Sequence, residues 1–172
     1  MGNYRNLETE FIDRTLELIS QYEGQIKKTE LEFDKQYNHT LLINCLLGLI
    51  VMPKERTIDF LPKDKITITL KNEMGVSNSW FNEEIRDMKS LVIALRHSIS
   101  HFDIAFNSND DQFLIDEIVF NDNQKSAGYI VAKFLPDELL NFIRYYGGWI
   151  IASIRENEPR ALIAIAKRTM SL

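Results

Sequence analysis

Apolar positions along the first third of the chain repeat with the period of a helix. From Tyr4 to Gln36, residues Phe11, Ile12, Leu16, Ile19, Tyr22 and Ile26 fall on one face while Glu and Lys fill the other, which predicts an amphipathic helix. Residues 36–52 are nearly apolar throughout and predict a central helix covered on most sides. Gly48 permits close packing there, and Pro53 ends the helix by removing an amide donor. Between Pro53 and Ser79, Pro62, Gly75 and several Asn, Asp and Ser residues surround the short alternation Ile66 to Leu70, so a loop with one weak strand is expected.

A third helix is expected from about Ser79 to about Phe106, with Glu83 and Glu84 in its first turn where the helix dipole favours carboxylates. Phe113 to Phe120 and Tyr129 to Phe134 are rich in β-branched and aromatic residues and flank the turn-forming Asn121 to Gly128, which predicts a β-hairpin. Pro136, Asp137 and Glu138 then mark a helix start, with Leu139, Leu140, Phe142, Ile143, Tyr146, Trp149 and Ile150 on a wide buried face. Gly147 and Gly148 either bend this helix or admit a neighbour. Pro159 is expected to open a final short helix through Arg168, with Arg160, Lys167 and Arg168 outward. The pattern is mainly α: a helical bundle with a small β-hairpin insertion, in a length of 172 residues that suits one domain spanning 1–172.

The third helix has two unlike faces. At 100° intervals Phe81, Met88, Leu91, Leu95, Ile99, Phe102 and Phe106 form a core stripe. Nearly opposite lie Ser90, Ile93, Ala94, His97, Ser100, His101 and Ile104, a second face with almost no charge, to be covered either by another helix of the chain or by a second subunit. Arg96 borders this face, and His101, five residues on, lies about 140° around an ideal helix. Within one chain they diverge, so a ligand shared by both is placed where two copies of the helix meet, or where the helix loosens. A two-fold contact brings each residue near its symmetry mate.

Charge and cysteine usage narrow the partners. A net charge of -5 repels polyanions overall, so any nucleic-acid contact rests on a local patch of Arg and Lys. Cys45 is the one cysteine and sits inside an apolar run, as a buried thiol in a reducing compartment would. That run, Leu41 to Met52, is well short of the roughly 20 apolar residues needed to cross a bilayer. No secretory signal is visible at the N-terminus, and a cytoplasmic address without membrane contact is expected.

The segment Leu95-Arg96-His97-Ser98-Ile99-Ser100-His101-Phe102 resembles the motif of the HEPN superfamily: Arg, a polar residue, three variable residues, then His. The run Asn44-Cys45-Leu46-Leu47-Gly48-Leu49-Ile50-Val51-Met52-Pro53-Lys54-Glu55 is similar to a bacterial, plasmid-borne HEPN nuclease subfamily. The resemblance spans residues 36–106 firmly and the rest loosely. It implies a HEPN-like helical bundle and a metal-independent endoribonuclease that needs no cofactor, forms its active site by homodimerising, and acts in a toxin or phage-defence setting, with RNA as substrate and an antitoxin or regulatory protein as a possible partner. The implied catalytic residues are Arg96 and His101, with His97 standing where Asn is more common. Asp103 stands where HEPN toxins paired with nucleotidyltransferase antitoxins often carry Tyr, so regulation by modification of that Tyr is not implied here.

The residue types suit that chemistry. Cleavage by the RNA 2′-hydroxyl needs a group that accepts a proton near neutral pH, and imidazole has an ordinary pKa of about 6.5. A guanidinium can hold two oxygens of the charged phosphorane in one bidentate contact. His101 takes the first role and Arg96 the second, while His97 either orients the phosphate or serves as the second acid or base. Blander readings stand beside these: a hydrogen-bonded His97/His101 pair in a packed interface, an Arg96 ion pair with Asp103 or a nearby carboxylate, or two imidazoles sharing a cation, for which that face offers no third acidic or cysteine ligand. The alternative function is a non-catalytic HEPN-like module for dimerisation or for nucleotide or RNA binding. His39 is left outside the site, Tyr145, Tyr146 and Trp149 read as core before they read as base-stacking groups, and the C-terminal cations read as a solvated face.

Overall fold

The computed structural model describes residues 7–29, 38–51, 61, 63, 65–109 and 115–169, with side chains for 9–29, 40–50, 61, 63, 65–109 and 115–156. Helix α1 (Leu7–Thr29) buries Ile12 and Ile19 and half-buries Leu16, on the expected face. Helix α2 (Asn38–Leu46) runs into a π-helical turn (Leu47–Val51), and Leu46, Leu49 and Ile50 are fully buried. Gly48 lies so close to α1 that an added Cβ would stand 2.9 Å from the Phe11 ring, which is the close packing expected of it. Pro53 and the part of the loop around it lie outside the described residues.

The stretch expected as a strand at Ile66–Leu70 is instead the start of a short helix, α3 (Ile68–Glu73). Thr67 caps it by accepting a hydrogen bond from the Leu70 amide at 3.2 Å. Alternation failed as a signal because Ile68 is 80% exposed while Ile66 and Leu70 pack against the core, so the three apolar residues do not share one buried strand face. The helix ends in a Schellman turn at Gly75, whose φ of 69° is in the left-handed region; Val76 N–H donates to the Lys71 carbonyl at 2.9 Å.

The largest departure concerns the expected third helix. Its flanks are strands: β1 (Trp80–Phe81) precedes helix α4 (Met88–Ser100), and β2 (Ile104–Asn107) follows it. With β3 (Glu117–Asn121) and β4 (Ile130–Phe134) they form one antiparallel sheet in the order β1-β4-β3-β2. The expected hairpin is therefore the centre of a four-stranded sheet, although its predicted start at Phe113 lies outside the described residues. Residues 80–81 leave the helix because Phe81 packs on Phe134 at 5.4 Å between ring centres, and an aromatic pair across neighbouring strands stabilises the sheet.

Helix α5 (Pro136–Thr169) begins at the expected proline but runs unbroken through Pro159, where a separate helix was expected. A proline φ suits a helix, so the cost there is one missing backbone hydrogen bond and crowding of the preceding turn. The side chains of Arg160, Lys167 and Arg168 lie outside the described ones. Leu139, Phe142, Ile143, Tyr146 and Ile150 are buried as expected. Gly147 admits a neighbour: an added Cβ would meet Leu16 of α1 at 3.1 Å. Phe134 joins sheet to helix, with Phe120 at 5.7 Å on one side and Phe142 at 5.4 Å on the other. The chain is thus mainly helical with a small antiparallel sheet, and α4 packs between that sheet and the π-helical turn. Among the described residues no helix is long and apolar enough to cross a membrane.

Candidate functional site at the end of helix α4

Two caps hold α4 in place. At its start the Asp87 carboxylate accepts the Ser90 amide at 2.7 Å and the Ser90 hydroxyl accepts the Asp87 amide at 3.1 Å, a reciprocal capping box eight residues later than the expected start. Met88, Leu91, Leu95 and Ile99 are buried as the core stripe predicts, and Val92 and Ser98 are buried with them. Phe102 and Phe106 are not part of that stripe. Phe106 has moved onto β2 and is 45% exposed, and Phe102 is 75% exposed.

The far end stops at His101, which is the C-cap residue. Phe102 follows with φ 56°, its amide donating to the Ile99 carbonyl at 3.1 Å, while the Asp103 amide donates to the Ser98 carbonyl at 2.8 Å. This is a full Schellman turn with a phenylalanine in the place that glycine usually takes. A left-handed conformation costs an L-residue about 1–2 kcal/mol, so the turn stores strain directly beside His101. The helix ends here, rather than loosening, and the expected continuation to Phe106 is corrected.

His97 and His101 lie one turn apart and pack edge to face, with ring centres 5.2 Å apart, both exposed. His97 Nδ1 stands 3.7 Å from Asp122 Oδ2. Asp122 sits just after β3, and its amide donates to the Tyr129 carbonyl at 2.8 Å, closing the turn of the hairpin. The turn is tied to the end of α4: Asp103 accepts from the Asn123 amide at 3.2 Å and from its side chain at 3.0 Å, and the Asn121 amide donates to the Asp103 carbonyl at 2.8 Å. Asp103 therefore engages Asn123. Arg96 makes no ion pair with any described residue, so the blander reading of an Arg96 ion pair with Asp103 or a nearby carboxylate finds no support among them.

Arg96 is half-buried and lies near Tyr146, whose hydroxyl is buried with no hydrogen-bond partner among the described residues. Burial holds that phenol well above its ordinary pKa, and the Arg96 charge acts in the opposite sense. The structure thus keeps Arg96 on the flank of α4 facing α5, while both histidines face outward near the hairpin turn. Within one chain the two histidines pack together, and Arg96 interacts with the Tyr146 side of the fold.

Asp122 is the residue that sequence reasoning missed. Its only local signal is a turn-forming Asn-Asp-Asn string, and nothing in the order of residues joins it to a histidine 25 positions earlier. Beside the histidines Ile93 is 44% exposed and Ser100 and Phe102 are exposed, and the Asp122 carboxylate is the charged group next to His97. Cys45 is buried far from this surface in sequence, and burial pushes its thiol up to about 11, which removes it as a nucleophile. Among the described residues no three His, Cys, Asp or Glu side chains are grouped so as to hold a metal ion.

No curated protein and no solved structure matches this chain. The HEPN pEK499 p136 family matches residues 1–157, and that stretch contains the whole of α4, both histidines, Arg96 and Asp122. By that match over most of its length, the chain belongs to the HEPN pEK499 p136 family.

Proposed function

We propose that the protein is a metal-independent endoribonuclease whose active site forms where the α4 ends of two identical subunits meet. The observation that carries this reading is the exposed histidine pair and apolar surface at the end of α4. It holds His97 and His101 in the open, next to an apolar Ile93 and a strained, projecting Phe102. Solvent alone gives no reason to expose Ile93 and Phe102 together there, whereas a two-fold contact that covers them does.

In the dimer, His101 of one subunit takes the proton from the RNA 2′-hydroxyl and the imidazole of its partner returns one to the leaving 5′-oxygen. Arg96 steadies the negative charge that builds on the phosphorane oxygens. Asp122, 3.7 Å from His97, positions that ring. The product ends are a 2′,3′-cyclic phosphate and a 5′-hydroxyl. The setting is proposed to be a toxin or phage-defence system, in which a partner protein or a trigger controls the activity.

The test uses single-stranded RNA labelled at one end and the purified full-length protein. Cleavage is expected in excess EDTA and absent on the 2′-deoxy strand. His101→Ala and Arg96→Ala are each expected to lower the rate by about 10²–10⁴ while leaving thermal unfolding unchanged. Cutting of both RNA and DNA, or loss of activity with EDTA, overturns the mechanism. Full activity in a protein that sediments as a monomer overturns the shared site.

A further inference from the structure

A second place on the molecule gathers positive charge, although the protein carries a net charge of -5. A surface cavity of about 640 Å³ lies beside β1, lined among others by Lys65, Lys71, Arg86, Trp80 and Phe81, with Glu83 the one carboxylate among the described lining residues. Ligand cavities commonly fall in the range of about 300–1,000 Å³. Three cations against one carboxylate make this a locally basic recess.

The backbone sets the segments that carry Lys65 and Arg86 against each other. Lys65 forms an antiparallel bridge with Asp87, and the Ile66 amide donates to the Arg86 carbonyl at 2.8 Å, so residues 65–66 lie against 86–87. Lys65 and Arg86 are both exposed, and neither forms an ion pair with a described residue. Lys71 is differently used: its ammonium donates to the Ser79 carbonyl and stands 5.2 Å from the centre of the Phe81 ring. Lys65 and Arg86 both line the cavity, so an anion held there meets an ammonium and a guanidinium.

Trp80 completes the recess. It is 44% exposed on an edge strand, whereas its neighbour Phe81 turns inward to Phe134. The wall carrying Trp80 is held rigid from behind, because the Glu138 carboxylate binds Asn78 and Ser79 through four hydrogen bonds. The other polar groups of that wall are occupied inside the protein: Asn82 donates to the Ile130 carbonyl at 2.8 Å and Ser77 to Asn72 at 2.7 Å. What the wall leaves exposed is Lys65, Arg86, the Glu83 carboxylate and the Trp80 indole.

The geometry points to a nucleoside monophosphate unit as the ligand of this cavity, its phosphate on Lys65 and Arg86 and its base against Trp80. Guanidinium and ammonium groups recognise phosphate, and an exposed indole stacks on any base without reading its sequence. The cavity begins at the capped start of α4, and His101 lies about 21 Å along that helix, so this is a separate site from the histidine pair. As a subsite for a nucleotide flanking the cut, it rests on the ribonuclease reading; as a nucleotide site it does not.

The test is binding, read from the indole N–H signal of Trp80 in full-length His101→Ala protein. AMP, adenosine, inorganic phosphate and a five-residue 2′-O-methyl adenylate strand are the probes. AMP or the strand is expected to shift the signal saturably, adenosine and phosphate to bind more weakly, and Lys65→Ala with Arg86→Ala to weaken AMP at least about tenfold. Tighter binding of the strand identifies an RNA segment as the occupant, and equal binding identifies the free nucleotide. No shift with AMP or the strand overturns the proposal, as does an affinity that the double substitution leaves unchanged or a phosphate affinity equal to that of AMP. Cleavage is not read in this experiment, so the nuclease reading and the pocket stand or fall separately.

Discussion

Glu138 is the side chain on which the wall at 78–80 depends. Its carboxylate accepts the Asn78 amide at 3.0 Å, the Asn78 side chain at 2.9 Å, the Ser79 amide at 2.7 Å and the Ser79 hydroxyl at 2.5 Å. Asn78 is exposed, so water replaces Glu138 there at little cost. Ser79 is only 3% exposed, and without Glu138 its amide keeps a longer bond to the Val76 carbonyl at 3.2 Å.

Two hydrogen bonds from a buried residue to a charged acceptor contribute about 1.5–3 kcal/mol each. Truncation lets some water reach Ser79, so Glu138→Ala is expected to lower stability by about 2–4 kcal/mol. Urea unfolding gives the number, and a cycle with Ser79→Ala isolates the shared part. A loss below about 1 kcal/mol, or strict additivity of the two substitutions, refutes this account of the wall. The pH dependence has a definite sign. Burial alone raises the Glu138 carboxyl, but the bonds from Ser79 and Asn78 outweigh it and hold the group below its ordinary value. The stabilisation is therefore complete above the unfolded-state pKa of roughly 4.3 and is lost as pH falls through the lower folded-state value. In Glu138→Gln that acid-side loss is absent.

Three further outcomes are expected. Gly75→Ala meets both a left-handed φ of 69° and an Asn141 Cβ at 2.7 Å, whereas Gly128→Ala meets only a φ of 74° with open space around it; the first should cost about 1–3 kcal/mol more than the second, and equal urea midpoints would dismiss the contact with α5. Phe102→Gly releases about 1–2 kcal/mol of left-handed strain against a small loss of burial, so stability should hold or rise while RNA cleavage falls if the ring belongs to the dimer surface; a marked drop in stability would show that the turn is not strained. Asp122→Asn should slow cleavage, and adding His97→Ala should slow it little more, because the carboxylate acts through that ring; independent, additive losses would separate the two residues.

The sequence by itself determined the elements that carry their own signal. The periodic apolar faces of α1, α2 and α5, the burial of Leu91, Leu95 and Ile99, and the Arg96 to His101 motif are all properties of residue spacing along one segment. Tertiary structure decided where segments stop and what they face. Trp80 and Phe81 left the helical pattern because β4 offered a partner strand, and Ile68 could not be a strand because no neighbour covered it. Phe102 sits in a left-handed turn and Asp122 beside His97 because the hairpin folds back onto the end of α4 through Asp103. Periodicity records the environment of each residue relative to its own helix or strand. Contacts between segments far apart in the chain depend on how those segments pack, and no local pattern encodes that.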